Sequence, residues 1–258
     1  MQDILRAGSI KRFARQAMRG SWLRGILVVL ICALVANGPS FVISYLTSSG
    51  FVSYILVFYQ LIVSGPLIMG LTVFFLDVFR GTDEPGLGSF GRGFSFGSKA
   101  IQLYITVLAY VLLWSLLFIV PGIVAAFRYS QSFFILADNP GMAPGDCIRR
   151  SKVMMFGIKG RYFLLQLSFI GWMILLGLPS FFAAYNALDL TSVPLTPEAV
   201  EFQLIKATQA PLPTVLGILG YLVYVYIIAA DACFYDIISG NLKVYTEVSS
   251  SGDPQGMY

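Results

Sequence analysis

The chain has 258 residues, 57% of them hydrophobic and 12% charged, with a net charge of +4 and a mean hydropathy of +0.78. A soluble domain carries about a quarter charged residues and cannot hide this much apolar surface, so a soluble globular fold is excluded. Histidine is absent, which removes the commonest general base and metal ligand together with Ser-His and Cys-His catalysis.

Apolar runs near the length that spans a bilayer predict an all-α, polytopic membrane protein with six transmembrane helices. They group as three helical hairpins, each preceded by a basic interfacial segment, in one integral membrane domain over 1–258. Residues 1–24 hold a cytoplasmic amphipathic helix. Ile10, Phe13, Ala14, Ala17 and Met18 share one arc, with Lys11, Arg12, Arg15 and Arg19 opposite. Such a helix either lies in the headgroup layer, apolar face down, or serves only as an orientation signal. The apolar run that follows continues past Asn37-Gly38-Pro39, which reads as a retained span rather than a cleaved leader.

Hairpin one covers 25–79, and its second span is long enough to require tilt, or a kink at Gly65-Pro66. Residues 80–99 read as a glycine-rich cytoplasmic loop with Phe90, Phe94 and Phe96 among Arg92 and Lys99. Gly86 to Gly91 spells GxGxxG, but no strand precedes it, so no nucleotide or other cofactor site is expected. Hairpin two covers 100–137 and turns at Pro121-Gly122. Its second arm, 123–137, reaches only about 22 Å as a helix, so it is a short crossing or a re-entrant half-helix. The positive-inside rule favours crossing, because only then do Arg149, Arg150, Lys152, Lys159 and Arg161 share a side with the basic N-terminus. Residues 138–161 hold a second basic amphipathic helix after the stop at Asp138-Asn139-Pro140-Gly141. Hairpin three covers 162–235 with an external loop at 186–212, where Thr196-Pro197-Glu198 resembles a helix start. Residues 236–258 form a cytoplasmic tail, so both termini are expected in the cytoplasm.

Three ungapped matches keep one order. Residues 10–20 align on 147–157, pairing Arg12 with Arg149, Arg15 with Lys152, Met18 with Met155 and Gly20 with Gly157. Residues 39–45 and 179–185 share P-S-F-x-x-x-Y. Residues 74–81 and 233–240 share F-x-D-x-x-x-G, which places Asp77 and Asp236 at equivalent helix ends. This reads either as parallel internal repeats about an axis along the membrane normal or as chance likeness between compositionally biased segments.

Pro121-Gly122-Ile123, Tyr129-Ser130, the run from Ile135 to Pro140, Ser151-Lys152, Met154-Met155, Gly157 and the run from Leu167 to Trp172 together resemble a bacterial integral-membrane family. That family is known only as a domain of unknown function, number nine-seven-five of its series. Residues 14–22 and 232–235 are similar to it as well. Ala143 departs from it, standing where a capping Ser or Thr is expected. The resemblance implies a six-span protein of the bacterial cytoplasmic (inner) membrane and brings no activity with it.

Two sets of residues are candidates for a role beyond packing. Arg128 and Asp231 are ionisable residues inside spans, which makes them a candidate intramembrane polar site. The alternative for Arg128 is that it snorkels outward or hydrogen-bonds carbonyls freed by a proline. The two sit at different depths, which argues against a direct pair. Asp77, Asp138 and Asp236 all stand at helix C-termini, where the macrodipole disfavours a carboxylate. The cations of the amphipathic helices, Arg12, Arg15, Arg149, Arg150 and Lys152, are expected to compensate them as an inner-face ionic belt. The alternative is a proton- or cation-linked site. The three cysteines, Cys32, Cys147 and Cys233, are scattered and read as reduced bystanders.

The sequence therefore points to a non-enzymatic membrane module or accessory subunit. Its expected partners are anionic headgroups and either another protein or a second copy; nucleic acid is not among them. The alternative is a small permease or lipid-handling transporter with a site near Arg128.

Overall fold

Bilayer-length apolar runs punctuated by glycine, proline and short polar turns can satisfy their backbone only as helices. A computed structural model describes residues 5–46, 50–81, 86–187 and 211–240, and among these it holds helices and no strand. In chain order the helices are α1 (Ala7–Ala17), α2 (Trp22–Leu46), α3 (Gly50–Arg80), α4 (Leu87–Phe94) and α5 (Gly97–Leu117). There follow α6 (Ile119–Tyr129), α7 (Ser132–Asp138), α8 (Pro144–Met154), α9 (Lys159–Ala187) and α10 (Pro211–Ser239). Among the described residues, six stretches are long and apolar enough to cross a membrane: Trp22–Ser40, Tyr54–Arg80, Gly97–Leu117, Ile119–Asp138, Lys159–Pro179 and Leu219–Ser239. They make this a multi-pass membrane protein by length and composition.

Successive long helices pack on one another, α2 on α3, α5 on α6 and α9 on α10. Helix α3 is central, since it also touches α7 and α10. Two glycine contacts make the close approaches. A Cβ at Gly65 would meet the backbone of Ala100, and one at Gly93 would overlap the backbone of Gly70. Small residues thus bring α3 against α5 and α4 against α3, the route by which helices gain packing when lipid offers no hydrophobic drive.

The structure refines the sequence reading at several points. The segment 80–99 is not a plain loop: α4 lies within it, packed on α3 with Ser89, Phe90 and Gly93 buried. The turn of the second pair falls at Phe118, whose backbone is extended (φ −161°, ψ 152°), and not at Pro121-Gly122. Pro121 instead lies in the first turn of α6, where a missing N–H costs little. Arm 123–137 is therefore the later part of Ile119–Asp138, which has the length of a full crossing. Pro39 and Pro66 lie inside continuous helices. Pro39 cannot donate to Val35 O, and the Tyr59 hydroxyl donates to that carbonyl instead at 2.5 Å. The helix start at 196–198 and nearly all of the external loop lie outside the described residues.

Helices α1 and α8 share one local geometry. Each has 11 residues, an extended residue before it (Arg6, φ −70° and ψ 139°; Ala143, φ −73° and ψ 145°) and a methionine cap after it. Each is closed by a glycine at positive φ, Gly20 at 83° and Gly157 at 80°. The buried positions correspond too: Ile10, Ala14 and Met18 in the first, Cys147, Ser151 and Met155 in the second.

Candidate functional site

Asp138 ends α7, while Asp236 and Arg80 stand in the last turns of α10 and α3. Packing of α3 on both partners brings the three side chains together. The Arg80 guanidinium forks onto Asp138, with Nη1 donating to Oδ1 at 2.6 Å and Nη2 to Oδ2 at 3.0 Å. Its Nε and Nη2 also donate to Asp236 Oδ1, at 3.2 and 2.8 Å. The Tyr235 hydroxyl donates to Asp138 Oδ2 at 2.8 Å, and its ring stacks on Phe134. One planar cation thus ties three helix ends, the bidentate use for which guanidinium is suited. Asp77 is served by another arginine, Arg92 of α4.

These partners differ from those expected. Among the described residues, Arg12, Arg15, Arg149, Arg150 and Lys152 form no ion pair with Asp77, Asp138 or Asp236. Arg149 pairs with Asp146 on its own helix, and Arg15 and Lys152 lie over the rings of Tyr226 and Tyr129. Helix α1 packs on α9 and α10 and α8 on α5, α6 and α7, and neither brings one of these cations within ion-pairing distance of the three carboxylates. Sequence reasoning missed Arg80, whose signal was its place three residues after Asp77 on the same helix.

A second polar group lies deeper, where α6 gives way to α7 at Ser130-Gln131. Ser151 of α8 bridges this interruption, donating to Arg128 O at 2.8 Å and accepting from Gln131 N at 3.3 Å. Gln131 Nε2 donates to Ser130 Oγ at 2.8 Å. Ser130 is hydrogen-bonded to Tyr162, and Tyr162 to Asp231. Gln166 Nε2 donates to Asp231 Oδ1 at 2.7 Å. Side chains of α8, α9 and α10 thus meet at one break. Among the described residues Arg128 and Asp231 make no direct ion pair. Gln131, Ser132 and Ser151 are fully buried, and Arg128 Nε, Gln131 Oε1 and Ser132 Oγ have no hydrogen-bond partner among the described residues. None of Tyr162, Gln166 and Gln131 was singled out from the sequence, because neutral polar residues in a span carry no signal until a break collects them.

The apolar arcs of α1 and α8 face protein. Helix α1 packs on α10 and α9, and α8 on α7, α5 and α6. Lys11 Nζ donates to Ser168 O at 3.1 Å and lies over the Phe169 ring, while the Tyr226 hydroxyl donates to Lys11 O. Burial, helped by the Arg15 charge, pulls the Lys11 ammonium below its usual range. Burial, helped by Asp146, pushes the Cys147 thiol up. Arg12, Arg15, Arg19, Arg149 and Arg150 remain exposed. A largely apolar cleft of about 240 Å³ lies between α2, α3, α5 and α10, with Asn37, Ser64 and Tyr221 among its lining residues.

A family model described as "Protein of unknown function (DUF975)" matches residues 93–242, which is more than half of the chain. No curated protein and no solved structure matches it.

Proposed function

The chain belongs to this family of unknown function, and from its geometry we propose that it is a non-enzymatic membrane module that presents rigid arginine surfaces to anionic lipid and to a protein partner or second copy. The observation that carries the reading is the matched burial of α1 and α8. Their apolar faces are spent on the bundle, and Arg12, Arg15 and Arg19 on one, with Arg149 and Arg150 on the other, face outward. A helix fixed in this way holds its cations at set positions, which favours recognition of phosphate-bearing headgroups over loose surface adsorption.

We infer further that the two helices open corresponding units of an internal repeat. Gly20 and Gly157, and likewise Gly81 and Gly240, share positive φ at matched positions, which chance likeness in sequence does not require. In this reading the six spans form three hairpins in the bacterial cytoplasmic membrane, with the aspartate end and both termini inside. The Arg80 cluster is then a structural lock between units rather than a transport site, since its guanidinium is occupied on both sides.

Native mass spectrometry of the protein extracted gently from its own membrane tests this. Retained anionic phospholipid or a stoichiometric second polypeptide is expected, lost in Arg149→Glu/Arg150→Glu and kept in Arg128→Ala. A lone, lipid-free chain, or the same species in the reversed-charge variant, overturns the reading.

A further inference from the structure

The break between α6 and α7 carries an inference that does not depend on the lipid-binding role. Asp231 is an acid within a span, and its partners are the neutral groups of Tyr162 and Gln166. A carboxylate held only by neutral donors at this depth is far costlier than one paired with a cation. Asp138 and Asp236 share Arg80 and Asp77 has Arg92, so the protein compensates its other span-end acids.

The surroundings of Asp231 are rich in oxygen. Ser130 and Tyr162 connect it to Gln131, whose amide nitrogen is used on Ser130 while its oxygen is buried without a partner. Ser132 Oγ, in the next position, is likewise buried and unpartnered. The break is also specific to this unit. Helix α1 has Ala14 where α8 has Ser151, and α10, on which α1 packs, runs uninterrupted from Pro211 to Ser239. Among the described residues, the interruption bridged by a serine from a neighbouring helix is thus the one linked to Asp231 through Ser130 and Tyr162.

We propose that Asp231, Tyr162, Ser130 and Gln131 form a binding site for a dehydrated monovalent cation of the sodium class. One carboxylate balances one positive charge, and hydroxyl and amide oxygens supply the remaining ligands. That donor set suits a hard monovalent ion and falls short of the several carboxylates that calcium sites gather. Interrupted helices near mid-membrane are where such ions are held when backbone and side-chain oxygens are freed from the helix ladder.

The test uses the full chain in neutral-lipid nanodiscs, with sodium chloride as the probe and choline chloride holding ionic strength constant. Raising sodium from about 1 to about 150 mM is expected to raise the unfolding midpoint by several degrees, as mass action requires of a ligand that binds only the folded state. Asp231→Asn is expected to abolish the rise, and Gln131→Leu and Tyr162→Phe to move it to higher sodium. Should Asp231→Asn fail to fold, the other two variants and equilibrium binding of radioactive sodium decide the question. No rise in the wild type with sodium or potassium overturns the site. So does an undiminished rise in Asp231→Asn, or in both other variants. A midpoint that follows pH alone and ignores sodium assigns the carboxylate to a proton and likewise overturns it.

Discussion

Arg80→Ala removes a side chain that joins the ends of α3, α7 and α10. Asp236 is 3% exposed and loses the guanidinium it shares with Asp138, leaving two carboxylates facing the same emptied space. Breaking a buried pair by deleting one member costs about 3–5 kcal/mol, because the surviving charge is stranded in a poor solvent. Arg80 is 30% and Asp138 21% exposed, so water relieves part of the penalty and about 3 kcal/mol is expected. For a chain of this size that lowers the midpoint by about 6–12 °C. The assay is thermal challenge followed by size-exclusion in a mild detergent. Arg80→Lys keeps the charge without the fork and is expected to lose about half as much. Adding Asp236→Asn to Arg80→Ala is expected to recover part of the deficit, since the stranded charge is gone. A midpoint within about 2 °C of wild type for Arg80→Ala, or no recovery in the double variant, refutes the lock.

The Arg92–Asp77 pair is expected to matter less, because Arg92 is 61% exposed. Asp77→Asn is expected to cost below about 1 kcal/mol in the same assay. Gly93→Ala drives a Cβ into the backbone of Gly70 and is expected to abolish the monodisperse peak, while Gly88→Ala and Gly91→Ala, with open space around them, leave it unchanged. Gly20→Ala and Gly157→Ala both place a side chain at φ near 80°. Each is expected to cost about 1–2 kcal/mol, and a marked inequality between them counts against equivalent units. Cys147, its thiol pushed up by burial and by Asp146, is expected to react slowly with maleimide at neutral pH in a Cys32→Ala/Cys233→Ala background. Asp146→Asn is expected to quicken that reaction, because lowering the thiol pKa raises the thiolate fraction.

The spans were legible because apolar runs of bilayer length admit no other backbone, and their ends fell within a few residues of the glycine and proline signals. Helix α4 was not legible. Its segment LGSFGRGF carries three poor helix formers, and what holds it is the contact that Gly93 alone permits with Gly70. The turn at Phe118 was misplaced because proline was read as a stop, although it is equally at home in a first turn. At the charged end the acids were legible and their partner was not: Asp77, Asp138 and Asp236 stand out as carboxylates at helix ends, but only packing reveals that α3 brings Arg80 between two of them. The role of Ser151 had no signal, since a serine in a basic helix looks the same whether it faces water or a broken neighbour.

The uneven density of the bundle explains why polar contacts concentrate where they do. Along α3, Leu71 to Phe79 is buried without interruption, and Phe133 to Leu136 and Ala232 to Ile237 are buried beside it. At the opposite end, Leu116, Phe118 and Ile119 are largely exposed. In lipid an apolar side chain gains little by leaving hydrocarbon for protein, so the far end has no strong reason to close. The end holding Asp77, Asp138 and Asp236 also holds the segments that lipid does not solvate: the helix termini, the turns and the amphipathic helices α1, α4 and α8. Their backbone groups and charges must be satisfied by protein or by water. Packing these three helices inward does so and yields a core closer to that of a soluble protein. Arg80 stands at the partly exposed edge of that core, whereas at the break of Ser130-Gln131 a hydroxyl from outside the spans, Ser151, meets the freed backbone.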